Sequence, residues 1–239
     1  MKKYLLVFLS SIMAGCFITC GATVYLVCTN MTSDPALAPL YKIIGSFMFG
    51  IGLFTIIHFG FWLYTGKVGY LLDNKWDYVL KVVLCFIGNF VGSFVLSKLI
   101  SLTSLGDTLK TVCEPIVNKK LDSTWYSIFI MSMLCGVMIY LAVEGHKRCP
   151  YALGKVLFAF MPISLFILAG FEHVVANVTY FTYASIFSAK AFGYFVLMFF
   201  GNALGSLIFD AALKGIKWLE KDKKVEEKIE TKEEDTKTE

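Results

Sequence analysis

Two ionisable side chains, Glu172 and His173, stand side by side in the string Gly170-Phe171-Glu172-His173-Val174-Val175-Ala176-Asn177. No charge occurs from Val156 to Phe171, and none follows His173 until Lys190. Inside a bilayer each such charge costs roughly 3 kcal/mol on insertion scales, so an ionisable pair there marks an ion or proton pathway. An imidazole exchanges protons near neutral pH, which makes His173 the candidate for chemistry at that point. Adjacent residues on a helix point about 100° apart, so Glu172 and His173 cannot both face one substrate. Glu172 is therefore expected to hold the chain together at a helix break, with His173 facing the substrate.

The elements that must carry these residues are membrane helices. The chain is 57% hydrophobic and 17% charged, well below the ~25% charged residues of soluble domains. A bilayer core needs roughly 20 apolar residues per helix. Six stretches qualify: Tyr4–Thr29, Ile43–Thr65, Tyr78–Ser97, Thr124–Val143, Val156–Ala189 and Ala191–Phe209. The fifth is too long for one straight crossing and is interrupted at Glu172 and His173. The composition predicts an all-α integral membrane protein with its transmembrane domain in residues 1–213. Residues 214–239 hold eight lysines and nine acidic residues; they read as a short helical extension through Trp218 and Leu219, then a disordered cytoplasmic tail.

Lysine and arginine are concentrated in alternate connections, including Lys67, Lys75, Lys147, Arg148 and Lys155. By the positive-inside rule both termini are expected on the cytoplasmic side, and the chain is expected to be a multi-pass protein of the inner (plasma) membrane. The seven cysteines form no CxxC pair and have no histidine placed to complete a metal site, so they read as packing residues and no metal or cofactor is expected. His58 reads as a polar packing group between spans, and His146 as a residue of a cytoplasmic loop. Nothing points to nucleic acid.

The two halves of the chain resemble each other. Gly88-Asn89-Phe90-Val91-Gly92-Ser93 in the third span returns as Gly201-Asn202-Ala203-Leu204-Gly205-Ser206 in the sixth, and Gly60-Phe61-Trp62 in the second mirrors Gly170-Phe171-Glu172 in the fifth. Three spans per half is an odd number, which predicts a 3+3 inverted repeat. Conducting sites of such proteins lie near the midplane, at broken helices in corresponding positions. Here those are the second and fifth spans, with Gly60, Gly66 and Gly170 at the breaks. In the second span the unwinding is expected around Thr65-Gly66; in the fifth Pro162, Gly170 and Asn177 mark it.

These strings closely resemble the two signatures of the formate/nitrite transporter family: Gly170 to Asn177, and Gly60-Phe61-Trp62-Leu63-Tyr64-Thr65-Gly66-Lys67. The resemblance covers essentially the whole membrane body. It implies an aquaporin-like channel assembled as a homopentamer, with one pore per protomer. It also implies that His173 is the central pore histidine, Asn177 its neighbouring asparagine and Thr65 the loop threonine. Leu53, Leu63 and Phe166 correspond to apolar constrictions. Lys120, or Lys119 beside it, corresponds to a lysine that draws anions to the pore. Trp62 departs from an acidic residue usual in the family, and Lys67 from a frequent asparagine.

The implied activity is transport of small monovalent weak-acid anions, formate or nitrite first, with transient protonation near His173. Hydrosulfide and short carboxylates such as acetate or lactate fit the same pore. A reading of another class is an intramembrane enzyme using Glu172 and His173 as an acid–base pair. The adjacency of the two residues and the lack of any nucleophile motif count against it, so no enzymatic activity is expected.

Overall fold

The computed structural model describes residues 1–237, with side chains described through Lys221. Among the described residues nine α-helices follow one another: α1 (Lys2–Thr29), α2 (Ala38–His58), α3 (Tyr64–Lys67), α4 (Trp76–Ser101), α5 (Gly106–Asp122), α6 (Trp125–Arg148), α7 (Ala152–Ala169), α8 (Val174–Ala184) and α9 (Ala189–Lys237). A 3-10 turn, Val68–Asp73, joins α3 to α4. Six of the helices (α1, α2, α4, α6, α7 and α9) are long and apolar enough to cross a membrane. Leu5, Ile43, Phe47, Leu80, Ile87 and Phe192 are among the large apolar side chains they expose, as helices facing hydrocarbon must.

The boundaries differ from the sequence reading in instructive places. α2 ends at His58, seven residues before Thr65, and the non-helical stretch is 59–63. Gly60 sits in that stretch, whereas Gly66 lies within α3. The stretch Val156–Ala189 is divided into α7 and α8 by residues 170–173, with 185–188 preceding α9. His146 belongs to the last turns of α6 rather than to a loop. The boundary at residues 213/214 falls inside α9, where Lys214 forms ion pairs with Asp73 and Asp210. The charged tail beyond Lys221 lies outside the described side chains.

Packing is organised by small residues. α1 lies against α4, and α6 against α9, with backbones close enough that a Cβ on Gly92 would fall 2.1 Å from the Ile12 carbonyl oxygen and one on Gly205 1.9 Å from that of Met133. Only glycine permits such an approach, which is how membrane helices gain contact without a hydrophobic drive between them. α7 packs against both α2 and α6, and α8 lies between α4 and α5. The main apolar cluster takes Phe49 and Leu53 from α2, Leu63 from the stretch after it, and Ile163 and Phe166 from α7, with further residues from α1, α4, α6, α8 and α9.

Candidate functional site

α7 stops because Gly170 takes a left-handed conformation, φ 76°, as its C-cap, a conformation that costs other residues roughly 1–2 kcal/mol. Phe171, Glu172 and His173 then run outside helical structure, and α8 begins at Val174. His173 caps α8 with its own side chain: its Nδ1 accepts from the Ala176 N–H at 3.0 Å. An imidazole nitrogen that accepts carries no proton, so the neutral ring holds its proton on Nε2. That nitrogen lies 2.9 Å from the Thr65 hydroxyl oxygen and donates to it.

Two asparagines on different helices hold these segments. Asn202 on α9 accepts from the Val174 N–H at 2.9 Å and donates to the carbonyls of Ser132 at 2.7 Å and Glu172 at 2.8 Å. Asn89 on α4 accepts from the Tyr64 N–H at 2.7 Å and donates to the carbonyls of Ser11 and Trp62, each at 2.8 Å. Non-helical backbone at membrane depth must find internal partners, and each fully buried amide supplies three. In sequence both asparagines stood out only as members of repeated Gly-Asn strings. A buried amide inside an apolar run was the signal for a structural role.

At this break Glu172 makes side-chain contacts of its own. Its Oε2 receives Lys120 Nζ at 2.5 Å and Asn177 Nδ2 at 2.8 Å, and Asn177 Nδ2 also reaches the His173 carbonyl at 2.9 Å. Lys120, on the last turn of α5, is only 14% exposed and lies over the Tyr180 ring at 5.8 Å. Its charge is thus paired with a carboxylate rather than presented free. Asn177 Oδ1 is buried with no partner among the described residues.

These groups line a cavity of about 440 Å³, which Lys119, Phe166, Glu172, His173 and Asn177 share with Lys120. Gly170 borders it, whereas Thr65, Leu53, Leu63, Gly60 and Gly66 do not. Thr65 meets the site from behind His173. The Phe166 ring stacks on the His173 ring with centroids 5.9 Å apart, and Phe49 lies edge-on to Phe166 at 6.0 Å. Leu53 and Leu63 are buried in the same apolar cluster. The imidazole therefore lies between this polar cavity and the buried apolar residues Leu53, Leu63 and Phe166. Volume alone would point elsewhere, to a groove of about 830 Å³ lined by Phe86, Phe90, Phe192, Phe195 and Phe199, but it is almost wholly apolar.

A family model described as formate/nitrite transporter matches residues 2–216. The formate channel FocA of Haemophilus influenzae is 28% identical over 190 residues, which cover 74% of this chain and 65% of that protein, just under two thirds of its length. The nitrite transporter NirC of Escherichia coli (strain K12) is 27% identical over 220 residues, covering 84% of this chain and 79% of the relative. Among solved structures, a pentameric formate channel with formate bound aligns with a TM-score of 0.74 at 22% identity, over 91% of this chain and 97% of the other. An ion channel of the same family aligns with a TM-score of 0.74 at 24% identity, over 90% and 89%.

Proposed function

Since the chain belongs to the formate/nitrite transporter family, we propose that it carries small monovalent weak-acid anions, formate or nitrite first, across a membrane. The path runs through each protomer, past His173 and between Leu53, Leu63 and Phe166. The finer architecture belongs to the same reading: two inverted halves, interrupted second and fifth crossings, five protomers in the bilayer, and both termini on the cytoplasmic side of the plasma membrane. The solved neighbour described as a pentameric formate channel supports the assembly.

The energetics favour a neutralised cargo. Moving a carboxylate-sized ion into a low-dielectric medium costs on the order of 20 kcal/mol in the idealised limit. A lysine about 4 Å away returns only about 4 kcal/mol at an effective dielectric near 20, and Lys120 is already paired with Glu172. An anion that gains a proton in the polar cavity, its vestibule, escapes most of this cost and passes the apolar residues Leu53, Leu63 and Phe166 as a small neutral acid. The observation that carries this reading is the His173 ring, set between the Thr65 hydroxyl and the Phe166 ring at the inner end of the polar cavity.

That ring acts as a neutral hydrogen-bond donor. A doubly protonated imidazole would set Nδ1–H against the Ala176 N–H that now points at it, breaking the cap of α8. The proton therefore reaches the cargo through water in the vestibule, and Nε2–H donates to the cargo's acceptor atom, an oxygen or the sulfur of hydrosulfide, in exchange for Thr65. Lys119 draws the anion to the entrance beside Lys120, whose charge Glu172 offsets, and Asn177 lies between Glu172 and the backbone of His173. Hydrosulfide, acetate and lactate satisfy the same chemistry and are separated from formate and nitrite only by flux. An acid–base enzyme fits poorly, because the Glu172 carboxylate is tied to Lys120 and Asn177 while the His173 ring faces Thr65.

The test is uptake of formate and nitrite into proteoliposomes at two pH values, with hydrosulfide, acetate and lactate alongside. Fast flux that rises on acidification and is lost in His173→Ala is expected. Undiminished uptake in that variant sinks the proposal.

A further inference from the structure

The three histidines of the chain do not share one fate. His173 lies in the pathway, but His58 and His146, separated by 88 positions in the sequence, come together at the ends of α2 and α6 with ring centroids 5.5 Å apart and planes inclined at 72°. Each ring is oriented by a backbone carbonyl. His58 Nδ1 lies 3.1 Å from the Phe54 carbonyl oxygen, and His146 Nδ1 3.0 Å from that of Lys155. A carbonyl can only accept, so both Nδ1 atoms carry the proton and both Nε2 atoms keep a free lone pair. Neither Nε2 has a hydrogen-bond partner among the described residues. The Phe54 ring lies 4.0 Å from the His58 ring and restrains it further.

This is the arrangement in which imidazoles bind metal: the distal N–H donates to a carbonyl, which fixes the tautomer and raises the basicity of the ligating nitrogen. Two imidazoles on one tetrahedral ion, with metal–nitrogen bonds of about 2.0–2.1 Å, have ring centres about 5 Å apart. We propose that His58 and His146 form a two-nitrogen site for a divalent transition metal ion of the zinc, nickel or copper class, which ties the end of α2 to the end of α6. The nearby candidates for a third ligand are occupied. Glu144 receives the Tyr70 hydroxyl and Arg148 Nε, each at 2.6 Å, and the Cys149 thiol faces the Tyr151 carbonyl. Among the described residues no group of three or more His, Cys, Asp or Glu could hold a metal, so water completes the shell. A site of this kind is moderate in affinity and reversible.

The tie has a position that matters. The segment 59–63 leaves α2 directly after His58 and leads to Leu63 and Thr65, while His146 is anchored to the start of α7 through Lys155. A bound ion would join α2, α6 and α7 where that segment begins. The inference does not depend on the transport reading, because neither histidine lines the vestibule.

The test uses the full chain, purified without an affinity tag in detergent and dialysed against Zn²⁺, Ni²⁺ or Cu²⁺ alone, with bound metal counted per protomer. One ion per protomer, saturating in the micromolar range and removed by a chelator, is expected, with copper bound most tightly as the Irving–Williams order requires. His58→Ala and His146→Gln should each weaken binding by roughly tenfold or more, since two neighbouring nitrogens bind as a chelate. Gln at 146 keeps a donor for the Lys155 carbonyl, and His58 is exposed, so both variants should elute as the parent does and keep its anion flux. Binding by the cysteines is common to all forms and cancels in the difference. Unchanged metal retention in the double variant, or no saturable binding by the parent in the micromolar range, overturns the proposal.

Discussion

The Lys120–Glu172 pair offers the sharpest test of how the vestibule handles charge. Its two side chains are 14% and 7% exposed and only 2.5 Å apart, so solvent screens them little and the vestibule behaves as nearly neutral at that point. Glu172→Gln keeps the size of the side chain and leaves Lys120 cationic and unpaired. An anion within about 4 Å of such a lysine gains about 4 kcal/mol at an effective dielectric near 20. Shedding part of its own hydration takes back about half. The remaining ~2 kcal/mol corresponds to roughly 30-fold tighter half-saturation, at 1.4 kcal/mol per factor of ten. The same positive charge favours the ionised over the protonated cargo, so the maximal rate should fall while apparent affinity rises. Lys120→Met should do the reverse. It leaves a buried carboxylate unpaired, a change worth about 3–5 kcal/mol, and repels the cargo, so flux should drop at least tenfold with weaker half-saturation. Initial rates of formate uptake into proteoliposomes, measured over a range of concentrations for both variants, decide the matter. Half-saturation unchanged in both would refute the claim that this pair sets the charge met by an entering anion.

Three further outcomes follow from the packing. Asn202→Ala and Asn89→Ala each strip partners from one backbone N–H and two carbonyls; at about 1–3 kcal/mol per unpaired buried group, both should lower the thermal midpoint in detergent sharply and by similar amounts. Gly170→Ala meets nothing within 4 Å of its new Cβ, so its cost is the left-handed backbone alone, about 1–2 kcal/mol. Gly205→Ala drives a Cβ to 1.9 Å from the Met133 carbonyl oxygen and should cost more, as comparison of the two thermal midpoints will tell. Lys67 Nζ lies 5.1 Å from the Trp62 ring centre, so a double-mutant cycle with Trp62→Leu and Lys67→Met should give a coupling of about 0.5–2 kcal/mol in thermal stability; additivity would show that the contact contributes nothing.

Much of this protein is written locally. Six apolar stretches, the glycine-spaced strings and the ionisable residues in the middle of the fifth stretch can be read without a structure, because hydropathy, helix length and the cost of buried charge depend on neighbours in sequence. Gly170 and His173 were legible for that reason. In the second stretch Gly60 falls in the non-helical segment 59–63, but Thr65 and Gly66 are helical; Phe59, Phe61 and Trp62 are as apolar as any helix and give no local sign of the break. What stops α2 at His58 and restarts the chain at Tyr64 includes an amide 25 positions downstream, Asn89. The pairing of Lys120 with Glu172 spans 52 positions, and that of His173 with Thr65 spans 108. Contacts of that range depend on which helix faces which, and the close glycine approaches between α1 and α4 and between α6 and α9 set that. Residue types and membrane crossings thus belong to the sequence, whereas the pairing of Lys120 with Glu172, of His173 with Thr65 and the meeting of His58 with His146 exist only once the helices are packed.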